Sequence, residues 1–257
     1  MATGKLTMDT FVSAYWSDLI LLSYAVPDRL LLPRIAPFDL DYWDGQAYVS
    51  VVGFHFGKTR ILGVPPGPLL PNVANFAQWN LRTYVRRKVN EVGSSHAKQA
   101  AGGIVFLKEF VPSPMVTGLV RTLYNENYVT APLSLTLQSE GNTLDVCYSL
   151  EVGGRKHTIA AKSVLAPSKL KAGSADEFFI ERYWGSPGAY GNKVISFQIA
   201  HAPWNTYDIS SCDVDADFGL LYGKDWEFLN NRKPDYAAWC DGSSVGISWP
   251  CFRIVER

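Results

Sequence analysis

Leu133 to Val164 reads LSLTLQSEGNTLDVCYSLEVGGRKHTIAAKSV, and no amphipathic helix can be drawn through it. Two strand-like runs, Leu133 to Leu137 and Leu144 to Leu150, flank Glu140-Gly141-Asn142. Glycine accepts the positive φ of a tight reversal, so this is a hairpin. Val152 to His157 then turns through Gly153-Gly154 into a third strand, Thr158 to Val164. Three strands joined by local reversals set the expectation for the rest of the chain.

Upstream, Tyr48 to Phe56 follows the turn dipeptide Asp44-Gly45, and Gly103 to Phe110 is a short apolar strand. Asn80 to Arg86 sets Leu81, Thr83 and Val85 against Arg82, Tyr84 and Arg86, a period of two with chemically distinct faces. If the interior is polar, Arg82 belongs to its wall. Downstream strands are Lys193 to His201, Thr206 to Cys212 and Ser244 to Trp249. Helices are few: Pro27 to Leu32, Pro114 to Tyr124 and Leu220 to Asn230. Many strands with two or three short helices predict a mainly β, α+β chain, a closed or nearly closed barrel or sandwich, as one domain over residues 1–257. Gly63 to Pro71 is a stiff proline-rich loop across the barrel mouth, and Ser168 to Asp176 is a small, polar loop.

The chain has 257 residues with 24 basic and 24 acidic side chains, so charge gives no case for a nucleic-acid or anionic-membrane partner. Hydrophobic residues make up 47% and charged residues 19%, enough for a substantial core. No apolar run approaches the ~20 residues that cross a bilayer. The first residues have no signal-peptide h-region, and Cys147, Cys212, Cys240 and Cys251 form no C-x-x-C pair. Both point to core thiols in a reducing cytoplasm.

Phosphate-loop, dinucleotide, nucleophile-elbow and zinc-helix motifs are absent, so no cofactor is expected. His55, His96, His157 and His201 stand far apart, and no metal site is expected. Asp213-Val-Asp-Ala-Asp lacks the glycine and the terminal glutamate of a calcium loop and reads as a solvated acidic turn.

Met115 to Leu133 carries the most chemistry. An apolar helical run holds one cation, Arg121, and breaks at Tyr124-Asn125-Glu126-Asn127-Tyr128 into a β segment. An arginine, a carboxylate and two phenols at a helix-to-strand junction suit a pocket for a small polar or anionic ligand; a capped helix followed by a surface loop is the other reading. His201-Ala-Pro-Trp204 and Glu181-Arg-Tyr-Trp-Gly185 repeat the mixture of charge and large aromatics. His201 either points into a cavity or is a hydrogen-bonded core histidine.

Several segments resemble a bacterial family of uncharacterised proteins related to acetoacetate decarboxylase, the YqjF-like proteins. They are Leu40 to Phe54, Asn80 to Arg87, Gly103 to Pro112, Arg121 to Tyr128, Glu181 to Gly185, His201 to Trp204 and Leu221 to Gly223. Their order and spacing span almost the whole chain. The resemblance implies an acetoacetate-decarboxylase-like distorted β-barrel around an internal cavity. Those decarboxylases use a lysine that forms a Schiff base, beside a second lysine that lowers its pKa. Aligned on Arg121, that lysine pair falls on Tyr128 and Val129, and an active-site glutamate falls on Gln78. Neither tyrosine nor valine forms an imine, so the resemblance carries the cavity but not the decarboxylase activity.

Three functions follow as expectations. The first is a barrel binding a small organic acid or carbonyl compound, with Gln78, Arg82, Arg121, Tyr124 and Tyr183 as ligand-binding residues. The second is a lysine-independent enzyme, a lyase, hydratase or isomerase on a keto or hydroxy acid, with Glu126, Tyr128, Glu181 and His201 as its acid-base groups. The third is a structural or homo-oligomeric component with a vestigial pocket.

Overall fold

The computed structural model describes residues 10–67, 70–87, 102–190 and 193–254. His96, the N-terminal stretch before Thr10 and part of the proline-rich loop lie outside them. The strands in chain order are β1 (Thr10–Val26), β2 (Asp39–Leu40), β3 (Ala47–Ile61), β4 (Phe76–Arg86), β5 (Gly103–Val111), β6 (Tyr128–Thr130), β7 (Leu133–Glu140) and β8 (Thr143–Val152). They continue with β9 (Arg155–Lys169), β10 (Trp184–Ser186), β11 (Ala189–Tyr190), β12 (Lys193–His201), β13 (Asn205–Asp215), β14 (Tyr236–Ser248) and β15 (Cys251–Ile254). The helices are α1 (Asp28–Ile35), α2 (Pro71–Ala74), α3 (Pro114–Tyr124), α4 (Ala175–Ile180) and α5 (Phe218–Tyr222), with a 3₁₀ turn at Lys224–Leu229.

The order β12-β10-β5-β4-β3-β1-β14 closes on itself because the second half of β14 pairs with β12, Ile199 opposite Ile247. The first half of β14 pairs instead with β13, Thr206 opposite Cys240. From there β13, β9, β8 and β7 run off as a wing. A ring of strands with a wing folded against its outside therefore has two cores. One lies within the ring and includes Trp16, Phe54, Phe56, Phe76, Phe106 and Phe197. The other lies between ring and wing, where Val49, Val51, Trp79 and Leu81 meet Val146, Tyr148, Leu150 and Ile159.

Strand β4 shows how one sequence serves both. Trp79, Leu81 and Val85 enter the outer core, while Phe76 and Tyr84 enter the inner one. Gln78, Asn80 and Arg82 share the inner phase by strand alternation and are all buried. At Gly53 on β3 the wing comes close: a Cβ there would stand 2.5 Å from the Tyr148 ring. The Tyr148 hydroxyl donates to the Asp18 carbonyl at 2.9 Å and fixes the wing on the ring.

Strand β1, seventeen residues long, is the longest element the pattern did not predict. Leu19 and Leu21 face the inner core while Ile20, Leu22 and Tyr24 face the outer one. A strand buried on both sides has no polar face and loses its period of two. The segment from Ser168 is not a free loop: β9 runs to Lys169, and the Ser174 side chain accepts from the Glu177 amide to start α4. The expected helix from Leu220 to Asn230 divides at Gly223, whose φ is 104°.

Candidate functional site

Helix α3 begins where the sequence says it should. Ser113 caps it by accepting from Val116 N, Pro114 fills its first turn, and Asn125 ends it in the left-handed conformation at φ 54°. That turn sends alternate residues to opposite sides: Asn125 and Asn127 are exposed, Glu126 and Tyr128 buried. Tyr128 then starts β6, which runs parallel to β5 with Tyr128 beside Glu109. On the other side of β5, Glu109 stands opposite Asn80 of β4. Three neighbouring strands thus bring Gln78, Glu109 and Tyr128 together, with Glu126 at the junction.

These four residues form the polar end of a cavity of about 100 Å³ inside the ring. The remaining wall is mostly apolar, with the aromatic rings of Trp16, Phe54, Phe56, Phe76, Phe106 and Phe197, and α3 contributes Val116, Leu119, Val120 and Tyr124 along one side. The Tyr128 hydroxyl donates to Gln78 Oε1 at 3.2 Å, and Gln78 Nε2 donates to Glu109 Oε2 at 2.5 Å. Glu109 Oε1 is buried and has no hydrogen-bond partner.

Burial dominates the electrostatics. It pushes the Glu109 carboxyl well above the usual carboxylate range, and the charge of Glu126 adds to the effect, while the neighbouring Tyr128 hydroxyl opposes it. Glu126 is raised to about 8 by burial. The Tyr128 phenol is also driven up, by burial first and then by the two carboxylates. No lysine or arginine stands among the described lining residues to offset this. Near neutral pH the Glu126 carboxyl is therefore largely protonated and can donate a hydrogen bond as well as accept one.

Other residues expected at a site lie elsewhere. Arg82 is buried on the inner face of β4, where Nη2 donates to the Phe179 carbonyl at 3.0 Å and Nε has no partner. It does not line the cavity. Glu181, Tyr183 and His201 form a second cluster: the Tyr183 hydroxyl donates to the Glu181 carboxylate, and its ring stacks on His201 at 4.8 Å. His201 stacks in turn on Trp204 at 4.2 Å, and its Nδ1 lies 2.9 Å from the Ala202 carbonyl. Burial lowers the His201 pKa. Trp16, which lines the cavity, lies 6.2 Å from Trp204, so it stands on the side of the chamber nearer this cluster.

Arg121 is exposed, contrary to the expectation that it turns inward. Val116, Val120 and Tyr124, four residues apart, take the cavity face of α3, and residue 121 follows a neighbouring face to solvent. Tyr124 lines the cavity as expected and donates to the Ser248 carbonyl at 2.9 Å. Of the cysteines expected in the core, Cys240 is buried, Cys147 half-buried, and Cys212 and Cys251 exposed; all four are free thiols.

Glu109 was not among the expected residues, because a β-bulge hides it. Leu81 pairs with Lys108 and Arg82 with Phe106, leaving Leu107 as the extra residue. Ile104 and Phe106 point inward before the bulge and Val111 after it. Simple alternation from Phe106 would turn Lys108 inward and Glu109 outward. Instead Lys108 lies on the outer side, its Nζ donating to the Leu221 carbonyl at 2.6 Å near the end of α5.

Residues 13–244 match the DUF2071 family, described as an uncharacterized conserved protein. The chain belongs to that family. The uncharacterized protein YqjF of Bacillus subtilis (strain 168) is 26% identical over 197 residues, covering 74% of this chain and 72% of YqjF. The same fold occurs in acetoacetate decarboxylase from Legionella pneumophila, at TM-score 0.62 and 11% identity over 97% of this chain and 89% of that one. It also occurs in an acetoacetate decarboxylase-like enzyme from Sphingomonas wittichii RW1, at TM-score 0.61 and 13% identity over 99% of both chains. The enduracididine biosynthesis enzyme MppR, complexed with the condensation product of pyruvate and imidazole 4-carboxaldehyde, matches at TM-score 0.57 and 10% identity over 97% and 92%.

Proposed function

We propose that this DUF2071 protein binds a small, uncharged carbonyl compound with an apolar body, and that Glu109 and Glu126 move a proton on and off it. The carrying observation is a pair of buried carboxyls, both raised in pKa, at the end of an apolar chamber. Of the two ligand classes expected from sequence, a carbonyl fits this chamber better than an organic acid. A ligand carboxylate would meet Glu109 and Glu126 with no cation on the lining, whereas a carbonyl oxygen can accept from a protonated carboxyl. A carboxylic acid held neutral by an apolar site is an effective donor to such an oxygen.

The pair divides the work. With one proton shared between them, one carboxylate takes a proton from the carbon next to the carbonyl. The other carboxylic acid hydrogen-bonds the oxygen on which negative charge builds, and transfers its proton there to give the enol. Tyr128 and Gln78 orient Glu109 through their hydrogen bonds. This is the first step of an isomerase or lyase, and imine formation has no part in it, since Lys108 lies on the other side of β5. Free thiols at all four cysteines suit a reducing cytoplasm, and the net charge of zero gives no pull toward nucleic acid. Among the described residues no helix is long and apolar enough to cross a membrane.

The test is solvent-deuterium exchange into small ketones such as butanone and acetoin, followed by NMR. Exchange above the buffer rate, lost in Glu126→Gln and Glu109→Gln, is the expected result. A protein that exchanges no ketone and is stabilised by butyrate instead would overturn the reading. Acetoacetate with borohydride should leave the protein mass unchanged; an adduct on any lysine would break the argument against an imine.

A further inference from the structure

Strand β7 is the last strand of the wing, and among the described residues it pairs only with β8. From Leu133 to Ser139 its side chains are uncharged and it has no proline, the two devices that usually blunt a free edge. Leu137 is 45% exposed. We propose that this edge is an interface that pairs with β7 of a second copy of the chain, joining two wings into one continuous antiparallel sheet across a two-fold axis at Thr136.

The hairpin fixes which groups are available. Glu140 and Thr143 close the two-residue turn Gly141-Asn142, so Glu140 and every second residue before it turn their backbone groups toward β8. Leu133, Leu135, Leu137 and Ser139 then turn their N–H and C=O outward. Antiparallel pairing centred on Thr136 sets Leu135 opposite Leu137 of the second copy and Leu133 opposite its Ser139. Each of these is a hydrogen-bonded pair in which both backbone groups of both residues are used.

The side chains agree with this register. Leu135 meets Leu137 on the apolar face, next to the outer core against which Leu135 already packs. On the other face Ser134 meets Gln138, and Thr136 meets its own copy. Glu140 falls opposite Pro132, so no like charges oppose one another. A second copy fits better than an unrelated strand because the sequence is close to self-complementary about Thr136, the condition for an isologous contact.

Sedimentation of the full chain tests the interface. The wild type should run at twice the chain mass, and Leu137→Lys, a substitution at an exposed side chain, should raise the dimer dissociation constant by at least about tenfold, a cost of about 1.4 kcal/mol. In a Cys147→Ser background, because Cys147 faces Thr136 across the hairpin, Thr136→Cys should form an interchain disulfide on mild oxidation. A wild-type monomer, or a dimer indifferent to Leu137→Lys, overturns the interface; a missing cross-link overturns the register centred on Thr136.

Discussion

The two faces of β4 live in different physical worlds. Outside, Trp79, Leu81 and Val85 lie in an apolar core, and the single polar group of Trp79 is satisfied by the Tyr222 hydroxyl at 2.6 Å. Inside, Gln78, Asn80 and Arg82 are just as buried, yet Asn80 Oδ1 and Arg82 Nε have no partner, and neither does Glu109 Oε1 across the pair. A buried polar atom without a partner costs about 1–3 kcal/mol. The ring's interior therefore carries a cost that the ring–wing core offsets. On this strand the unmet polar groups fall on the inner face, the one that carries Gln78 to the cavity.

The contrast is most exposed to attack at Trp79. Trp79→Ala should destabilise the protein by about 3–5 kcal/mol, because it leaves a large void and strands the Tyr222 hydroxyl. A loss below about 1 kcal/mol in urea unfolding would mean that the outer face is not the stabilising one. Glu126→Gln should act in the opposite direction. Its folded pKa of about 8 lies above its ordinary value of 4.5, so its contribution is most favourable below that lower value and is lost as pH rises through about 8. The variant should melt above the wild type at pH 8.5, by a few degrees for each kcal/mol recovered, about 2–4 °C. The gap should close toward pH 5; a gap that is constant with pH would show that Glu126 does not titrate as its burial implies. The smallest effect belongs to Arg121→Met, which should change stability by less than about 0.5 kcal/mol and leave ketone exchange intact, since that side chain is exposed. Loss of exchange in this variant would move the site toward the outer face of α3.

Local signals were legible and long-range ones were not. The β7–β9 hairpins and α3 are written in adjacent residues: turn glycines, Ser113 with Pro114, and Asn125 at the end. Strand β1 escaped because ring and wing bury both its faces. At the site, Glu126, Tyr128, Tyr124 and Gln78 lie on the cavity lining where sequence reasoning put ligand and acid-base groups. Arg82, Glu181, Tyr183 and His201 are polar residues on apolar strands or beside large aromatics, a pattern that marks inward-facing groups without saying which interior feature they meet. Their place outside the lining is set by long-range packing, which no local pattern encodes.

The bulge at Leu107 has a consequence for the sign of the chamber. Lys108 and Glu109 are adjacent and opposite in charge, so the phase of β5 works as a reading frame that selects which of them the cavity receives. Threaded without the extra residue in its ladder, the same segment would present an amine beside Gln78 and Tyr128 and send the acid outward. Within this fold, the polarity of the chamber can be inverted by a slip of one residue with no change of side chain. A sequence comparison that scores substitutions and overlooks strand phase would pass over that change.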